Sequence, residues 1–316
     1  MIVTVTLNAA LDRTLTVPNF LQGHRHRASQ GLTLAGGKGI NVARALKRLG
    51  VPVVATGLAG GRTGTRIVEE LTAESILNDF VRIGDESRTS TAVVDPMGGS
   101  FTEINEWGPE VGPEELEILR DKIRYLSRGA SAVVFAGSLP RGVDEAFYAD
   151  AIRELNRAGV FTVLDADVEP LRLGVDADPS LVAPNQHEAE ALVGQELEDE
   201  DFLMALDSIA ELGARTVLVT RETGCFGLTR QERLVQRLHA AAPRVEPVST
   251  VGAGDVLTAA FLASHLDGKP FAESLRFAVS AASASTLEVG AGRFEPREAG
   301  RLALQVEVSQ LDPVET

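Results

Sequence analysis

Six short apolar runs, at residues 2–7, 53–57, 132–136, 161–164, 181–183 and 216–220, recur along this chain. Most are separated by stretches whose apolar residues return at helical spacing: 39–49, 65–73, 113–127, 145–158 and 199–212. A run that is apolar on both faces suits a strand buried on both sides, and the intervening helix carries the chain back across the sheet. The alternation therefore predicts an α/β fold with a mostly parallel sheet covered on both faces. Two stretches, 12–34 and 87–105, break the rhythm, alternating Thr, Val, Ile and Phe without a helical period. Within the second, Arg88 to Asp95, the turn Met97-Gly98-Gly99 and residues 100–105 read as a hairpin. The expected architecture is a three-layer α/β sandwich from residues 1–11, 35–86 and 106–316. A small, discontinuous β-sheet from 12–34 and 87–105 stands off it as a lid. Runs 226–229 and 233–238 are predicted antiparallel edge strands, and two helices close the chain.

Charge narrows the function classes. A net charge of −15 over 316 residues argues against general binding to nucleic acid or anionic membranes. Residues 11–50 nevertheless hold seven Lys/Arg against the single acid Asp12, a net +6, so the remainder carries −21. Such a basic island suits an anionic small substrate. Arg44, Lys47 and Arg48, at helical spacing, are expected on a solvated helix face; His24-Arg25-His26-Arg27 has no such ready explanation. No apolar run reaches the roughly 20 residues that span a bilayer. The first residues read as a strand rather than a leader, which makes the cytoplasm the expected location. The lone Cys225 leaves no internal disulfide and no cysteine-based zinc site.

The run Ser249-Thr250-Val251-Gly252-Ala253-Gly254-Asp255 precedes an apolar helical stretch, 256–266. Small residues let backbone amides crowd round an oxyanion, and the positive end of the helix would face the same spot. A carboxylate beside an anion site repels its ligand unless it has a proton to remove. Asp255 is therefore a candidate general base, with Gly252, Ala253 and Gly254 steadying a phosphoryl group in transfer. The alternative is a small-residue helix start with a capping aspartate.

Gly36-Gly37-Lys38-Gly39-Ile40-Asn41-Val42-Ala43 is a second glycine-rich helix opening. It follows the proposed small sheet rather than the first strand, and Gly57-Leu58-Ala59-Gly60 stands where a dinucleotide fold needs an acid. Lys38 is followed by Gly39, not Ser or Thr, so a Walker loop fails too. What remains is a close-approach surface with Asn41 able to donate and accept, which suits a sugar. Three more polar segments follow predicted strands: Asn8-Ala9-Ala10-Leu11-Asp12, Gly137-Ser138-Leu139-Pro140 and Pro184-Asn185-Gln186-His187-Glu188. Ligands gather outside the carboxyl ends of strands in open parallel sheets.

Across nearly its whole length the chain resembles the phosphofructokinase B branch of the ribokinase-like carbohydrate kinases. The resemblance is carried by residues 4–12, 36–43, 137–143, 185–188 and, most specifically, 249–255. The Thr-Leu-Asn opening and Gly-Ser-Leu-Pro point within that family to enzymes acting on phosphorylated ketohexoses. The resemblance implies a ribokinase-like fold and ATP-dependent phosphoryl transfer to such a sugar. Fructose 1-phosphate is the expected acceptor, with tagatose 6-phosphate and fructose 6-phosphate as alternatives. It implies that Asp255 is the base and that Asp12, Gly37, Asn41 and Ser138 hold the sugar, with Arg88, helped by Lys38, on its phosphate. Asn185, Thr220, Gly224, Thr250, Gly252 and Gly254 would hold ATP. Asn185 and Glu188 would organise Mg²⁺, largely through water. The lid would be shared across a homodimer.

Three positions depart from the family pattern. Ala183 replaces a lysine that precedes Pro-Asn in relatives, removing a contact to ATP that Arg221 is a candidate to supply. Residues 219–224 shorten a turn on the nucleotide side, and His24 stands near a substrate-touching lysine of some relatives. A sugar-phosphate sensor that has lost catalysis, a kinase for an unphosphorylated sugar, and an oxidoreductase using residues 36–39 are the competing readings.

Overall fold

The strand–helix alternation emerges in the computed structural model, which describes residues 1–231 and 234–311. The chain runs β1 (Ile2–Thr6), β2 (Ala10–Thr16), β3 (Gln30–Gly36), α1 (Lys38–Arg48), β4 (Val53–Gly60), α2 (Gly61–Ala73), β5 (Leu77–Ile83), β6 (Arg88–Asp95) and β7 (Ser100–Asn105). There follow α3 (Pro113–Ser127), β8 (Ala132–Ala136), α4 (Phe147–Arg157), β9 (Phe161–Asp165), α5 (Val168–Val175), β10 (Leu181–Val182), α6 (Gln186–Val193) and α7 (Phe202–Glu211). The last third is β11 (Thr216–Arg221), β12 (Gly224–Gln231), β13 (Leu234–Ala241), α8 (Ala253–Leu266), α9 (Phe271–Ser285), α10 (Pro296–Ala303) and β14 (Val308–Gln310).

Among the described residues one ten-stranded sheet has the order β14-β13-β12-β11-β10-β9-β8-β1-β4-β5. From β5 to β11 neighbours are parallel, whereas β11 to β14 pair antiparallel. One apolar layer packs α1, α2, α8, α9 and α10 on one face; the other packs α3 to α7 on the opposite face. Burial of large side chains such as Ile40, Leu46, Phe135 and Tyr148 stabilises these layers by about 1.5–3 kcal/mol for each aliphatic or aromatic group.

Local chemistry accounts for the boundaries. Pro113 opens α3, the Glu115 carboxylate accepts the Gly112 amide at 2.8 Å, and Leu119 and Ile123 face inward one turn apart. Val256 to Leu262 in α8 are all buried, so its sequence is apolar all round, with Asp255 the charged exception at its start. The 226–229 and 233–238 strands belong to β12 and β13, although Arg233 itself lies outside the described residues. Five elements go beyond the expectation: β5, α5, α6, a third closing helix where two were predicted, and the final strand β14; residues 186–193 form a helix where the sequence predicts a loop.

The small sheet has the order β3-β2-β6-β7. It begins at Ala10 and reaches Gly36, two residues beyond the expected limits of 12 and 34 at each end. The reason is that Ala10 and Gly36 are still paired in the β2–β3 ladder. The chain order β4, β5 on one side of β1 and β8, β9 on the other puts a topological switch between β1 and β8. A crevice opens there, at the carboxyl ends of the strands.

Candidate active site

Asn8, just beyond β1, donates from Nδ2 to Ser138 Oγ just beyond β8 at 2.9 Å, joining the two sides of the switch point. Around this bond lies a cleft of about 950 Å³, walled by β6, β7 and residues 106–108 on one side and by the strand ends on the other. Asp12, Gly37, Lys38, Asn41, Arg88, Ser138, Asn185, Glu188, Thr220, Thr250, Gly252, Ala253, Gly254 and Asp255 all line it. Gly224 does not. It borders a second hollow, of about 1110 Å³, with a floor of Pro243, Val245, Leu257, Val279 and Ala282. The two hollows share Asn185, Thr220, Thr250, Ala253 and Gly254. They therefore meet at the amino end of α8.

That end is built for an anion. Gly252, the residue before α8, has φ +79°, and a Cβ there would stand 2.7 Å from Ala291 Cβ. A Cβ on Gly254 would meet nothing within 4 Å, because the cleft lies there. The Ala253 amide is already donated to the Thr250 carbonyl at 3.2 Å. Among the described residues the amides of Gly252 and Gly254 have no such bond, so the expected three-amide cradle reduces to those two.

Asp255 follows at once, 5% exposed, and accepts the Asn41 amide at 2.8 Å on Oδ2. Burial, reinforced by the nearby Asp165 charge, pushes its carboxyl up to about 7, against the opposing pull of Lys38 and the Asn41 hydrogen bond. A carboxyl with that affinity for protons is matched to work near neutrality. Asp12, on β2 opposite, is raised to about 6 by burial, which outweighs the pull of Arg88 and Arg44. Arg88 reaches the cleft from β6, its Nε donating to the Asn8 carbonyl and one terminal nitrogen to Asn105 Oδ1, both at 3.3 Å. Those long bonds leave the fork available to a stronger acceptor. Gly37, with φ +106°, brings the start of α1 against Thr6 and Ala9, where a side chain would collide.

Several expectations change. Lys38 is not a free clamp: its ammonium bonds Asp165 Oδ1 at 2.6 Å and Glu188 Oε1 at 3.2 Å. Asn185 Oδ1 accepts the Glu188 amide while Glu188 Oε2 accepts the Asn185 amide, each at 2.9 Å. This reciprocal cap fixes Glu188 at the mouth of α6 and occupies the Asn185 oxygen. Arg221 pairs with Asp199 and lies over the Phe202 ring, 5.2 Å from its centre, so it is not free to replace the missing lysine at Ala183. His24 is exposed and lines neither hollow.

Arg44 overturns the solvated-face expectation. Only 2% exposed, it donates to Asn41 Oδ1, to the Ala35 and Ala291 carbonyls, and through two bonds to Glu74. It thereby anchors the asparagine that holds Asp255. Asp165 was missed as well, although it ends an apolar strand as the flagged segments do; Asn8 lay in a flagged segment without a role.

The residues fit a bound nucleotide and its metal. A left-handed glycine cradle, unengaged amides and an apolar hollow are the features an adenine nucleotide needs. Asp165 and Glu188 offer hard oxygens, the donor type magnesium takes. Among the described residues no group of three His, Cys, Asp or Glu side chains could hold a metal unaided. No helix among the described residues is long and apolar enough to cross a membrane.

Comparison with known proteins identifies the family. Residues 3–298 match the pfkB family of carbohydrate kinases. The 1-phosphofructokinase of Rhodobacter capsulatus is 32% identical over 315 residues, 99% of each chain. That of Xanthomonas campestris is 34% identical over 299 residues, 92% of each. Phosphofructokinase-2 of Escherichia coli, solved in complex with fructose-6-phosphate, is 28% identical and superimposes with a TM-score of 0.86, over 96% of this chain and 98% of that one. With the match running almost end to end and a buried acid standing at an anion cradle between two hollows, the chain belongs to the pfkB family of carbohydrate kinases and uses ATP.

Proposed function

We propose that this kinase phosphorylates a ketohexose phosphate, with fructose 1-phosphate as acceptor and fructose 1,6-bisphosphate as product. One observation carries the reading: a buried, proton-seeking carboxylate stands beside unengaged amides where two hollows meet. Asp255 takes the proton from the attacking hydroxyl, and Asn41 keeps its carboxylate aimed. The amides of Gly252 and Gly254 steady the transferring phosphoryl group. Arg88 grips the phosphate already on the sugar, a task for which a planar fork is suited. Asp12 and Ser138 hold sugar hydroxyls. Glu188 and Asp165 would hold Mg²⁺, which would supply positive charge against the phosphate oxygens. The resemblance to two 1-phosphofructokinases favours fructose 1-phosphate. The Escherichia coli neighbour keeps fructose 6-phosphate as the second reading. A sensor that only binds would need no base.

The test is ADP release with fructose 1-phosphate, fructose 6-phosphate, tagatose 6-phosphate and fructose. Fructose 1-phosphate is expected to give the highest kcat/KM; a higher value for either 6-phosphate would replace it as acceptor. Arg88→Ala should raise KM for the phosphorylated sugars far more than for fructose. Equal losses on both would remove Arg88 from the phosphate clamp. We place the enzyme in the cytoplasm as a homodimer joined through its small sheets.

A further inference from the structure

Lys38 occupies an unusual position for a cation. It is the first residue of α1, at the positive end of that helix, where a positive side chain is disfavoured. Its ammonium compensates by reaching across the cleft to Asp165 and Glu188, whose side chains are 5% and 10% exposed. Asp255, lining the same cleft, adds a third carboxylate that attracts this ammonium. One monovalent charge thus faces three carboxylates, and two of them are close enough to share it.

Bound substrates would change this balance. Two anionic substrates add negative charge, and the nucleotide brings a divalent cation that prefers the same carboxylate oxygens. We propose that Lys38 serves as a stand-in cation: it holds Asp165 and Glu188 together in the resting site, then turns to the transferring phosphoryl oxygens when a divalent ion takes its place. The exchange would make good the charge lost at Ala183, which also lines the cleft. Lys38 is then a positioning residue for the carboxylates before the reaction and a phosphate ligand during it. The second half rests on the kinase reading; the first does not.

The occupancy half is measurable without substrates. Full-length protein, free of nucleotide and sugar, is titrated with Mn²⁺ and the free ion read by electron paramagnetic resonance. Lys38→Met leaves two buried carboxylates facing each other and is expected to bind one Mn²⁺ at least roughly tenfold more tightly than the native chain. Lys38→Arg keeps the charge and should stay near native affinity. Adding Asp165→Asn to Lys38→Met should abolish the gain. A folded Lys38→Met with native affinity, or a gain that survives Asp165→Asn, overturns the proposal.

If Lys38→Met fails to fold, the native chain decides. Acylation of Lys38 by acetic anhydride, read by mass spectrometry against Lys47 and Lys269, should increase as Mg²⁺ is added without nucleotide. Acylation that ignores Mg²⁺ rejects the stand-in role. If the Mn²⁺ gain appears but the native chain phosphorylates no sugar, the kinase reading fails and the occupancy of the carboxylates stands.

Discussion

At the scale of single residues, burial of a carboxyl raises its affinity for a proton and costs the fold stability. Asp255 has a pKa of about 7 when folded, against an ordinary value of 3.8. The folded chain therefore binds a proton that the unfolded chain releases, and stability declines as pH rises from about 4 through 7. Asp255→Asn removes that penalty, on the order of a few kcal/mol, while its side-chain oxygen can still accept from Asn41. The variant should melt at a higher temperature than the native protein at pH 8, and the difference should shrink at pH 5, where Asp255 is protonated. It should also lose at least roughly a hundredfold in kcat. Calorimetry and ADP release read the two effects. Near-native turnover would end the role of Asp255 as base. In the native enzyme kcat/KM should rise with pH through about 7 and then level, because the base must be ionised to accept a proton. A profile flat from pH 5.5 to 8 would contradict this. The Asp255 region and the glycine openings were legible in sequence because small residues beside an acid are chemically conspicuous. Asp165 was not, since one acid at the end of an apolar run looks like any turn residue. Arg44 was hidden for a different reason: helical spacing among basic residues ordinarily means a wet face, and only the packing of α1 against Glu74 and Ala291 shows otherwise.

At the scale of elements, α1 is the part that ties Asp255 to the scaffold. Its Asn41 holds Asp255 of α8, and its Arg44 ties Asn41 to the end of α2, to β3 and to the segment at Ala291. Arg44→Met would leave several buried acceptors without donors and Glu74 without its partner. The expected cost is on the order of 3 kcal/mol in unfolding free energy, with a further fall in kcat as Asn41 loosens. Glu74→Gln, which preserves shape at a partly exposed site, should cost clearly less. Chemical denaturation of the two variants checks the ranking; equal losses would mean that the Glu74 ion pair accounts for all that Arg44 contributes. Gly252→Ala tests the neighbouring element. Its φ of +79° and the 2.7 Å approach to Ala291 Cβ leave no room for a methyl group, so the loop must shift. Loss of kcat should outstrip loss of melting temperature, since the displaced amide faces the cleft rather than the core. Of the elements missed in sequence, β5, α5 and α6 share a physical cause, which is that none presents a full amphipathic period. β5 is an edge strand with Asn78, Asp79 and Arg82 interrupting its apolar residues. α5 has eight residues and contains Pro170 and Gly174. α6 also has eight and is held by the reciprocal cap of Asn185 and Glu188 rather than by an apolar stripe.

At the scale of the molecule, the small sheet sets one wall of the cleft and leaves another face exposed. Along β7, Glu103 and Asn105 face the cleft, so Thr102 and Ile104 must face away. The ladder registers put Arg13 and Thr91 in one row with Ile104, and Leu15 and Val93 in another with Thr102. All six residues of β7 are exposed, Ile104 at 61%, and Trp107 just beyond it stands 89% exposed at the cleft rim. An edge strand with apolar side chains on a free face is a surface that monomeric proteins suppress. A second copy, presenting the same rows about a two-fold axis, would cover it. The native chain should therefore run as a dimer in size exclusion with light scattering at micromolar concentration. Val93→Glu with Ile104→Glu should convert it to a monomer while leaving the melting of the ten-stranded domain nearly unchanged. Because β7 and residues 106–108 also wall the cleft and do not line the apolar hollow, separation should raise KM for the sugar phosphate more than KM for ATP. A native monomer would remove the pairing outright. A double variant that stays dimeric would move the interface elsewhere, and equal effects on both substrates would detach it from the sugar site.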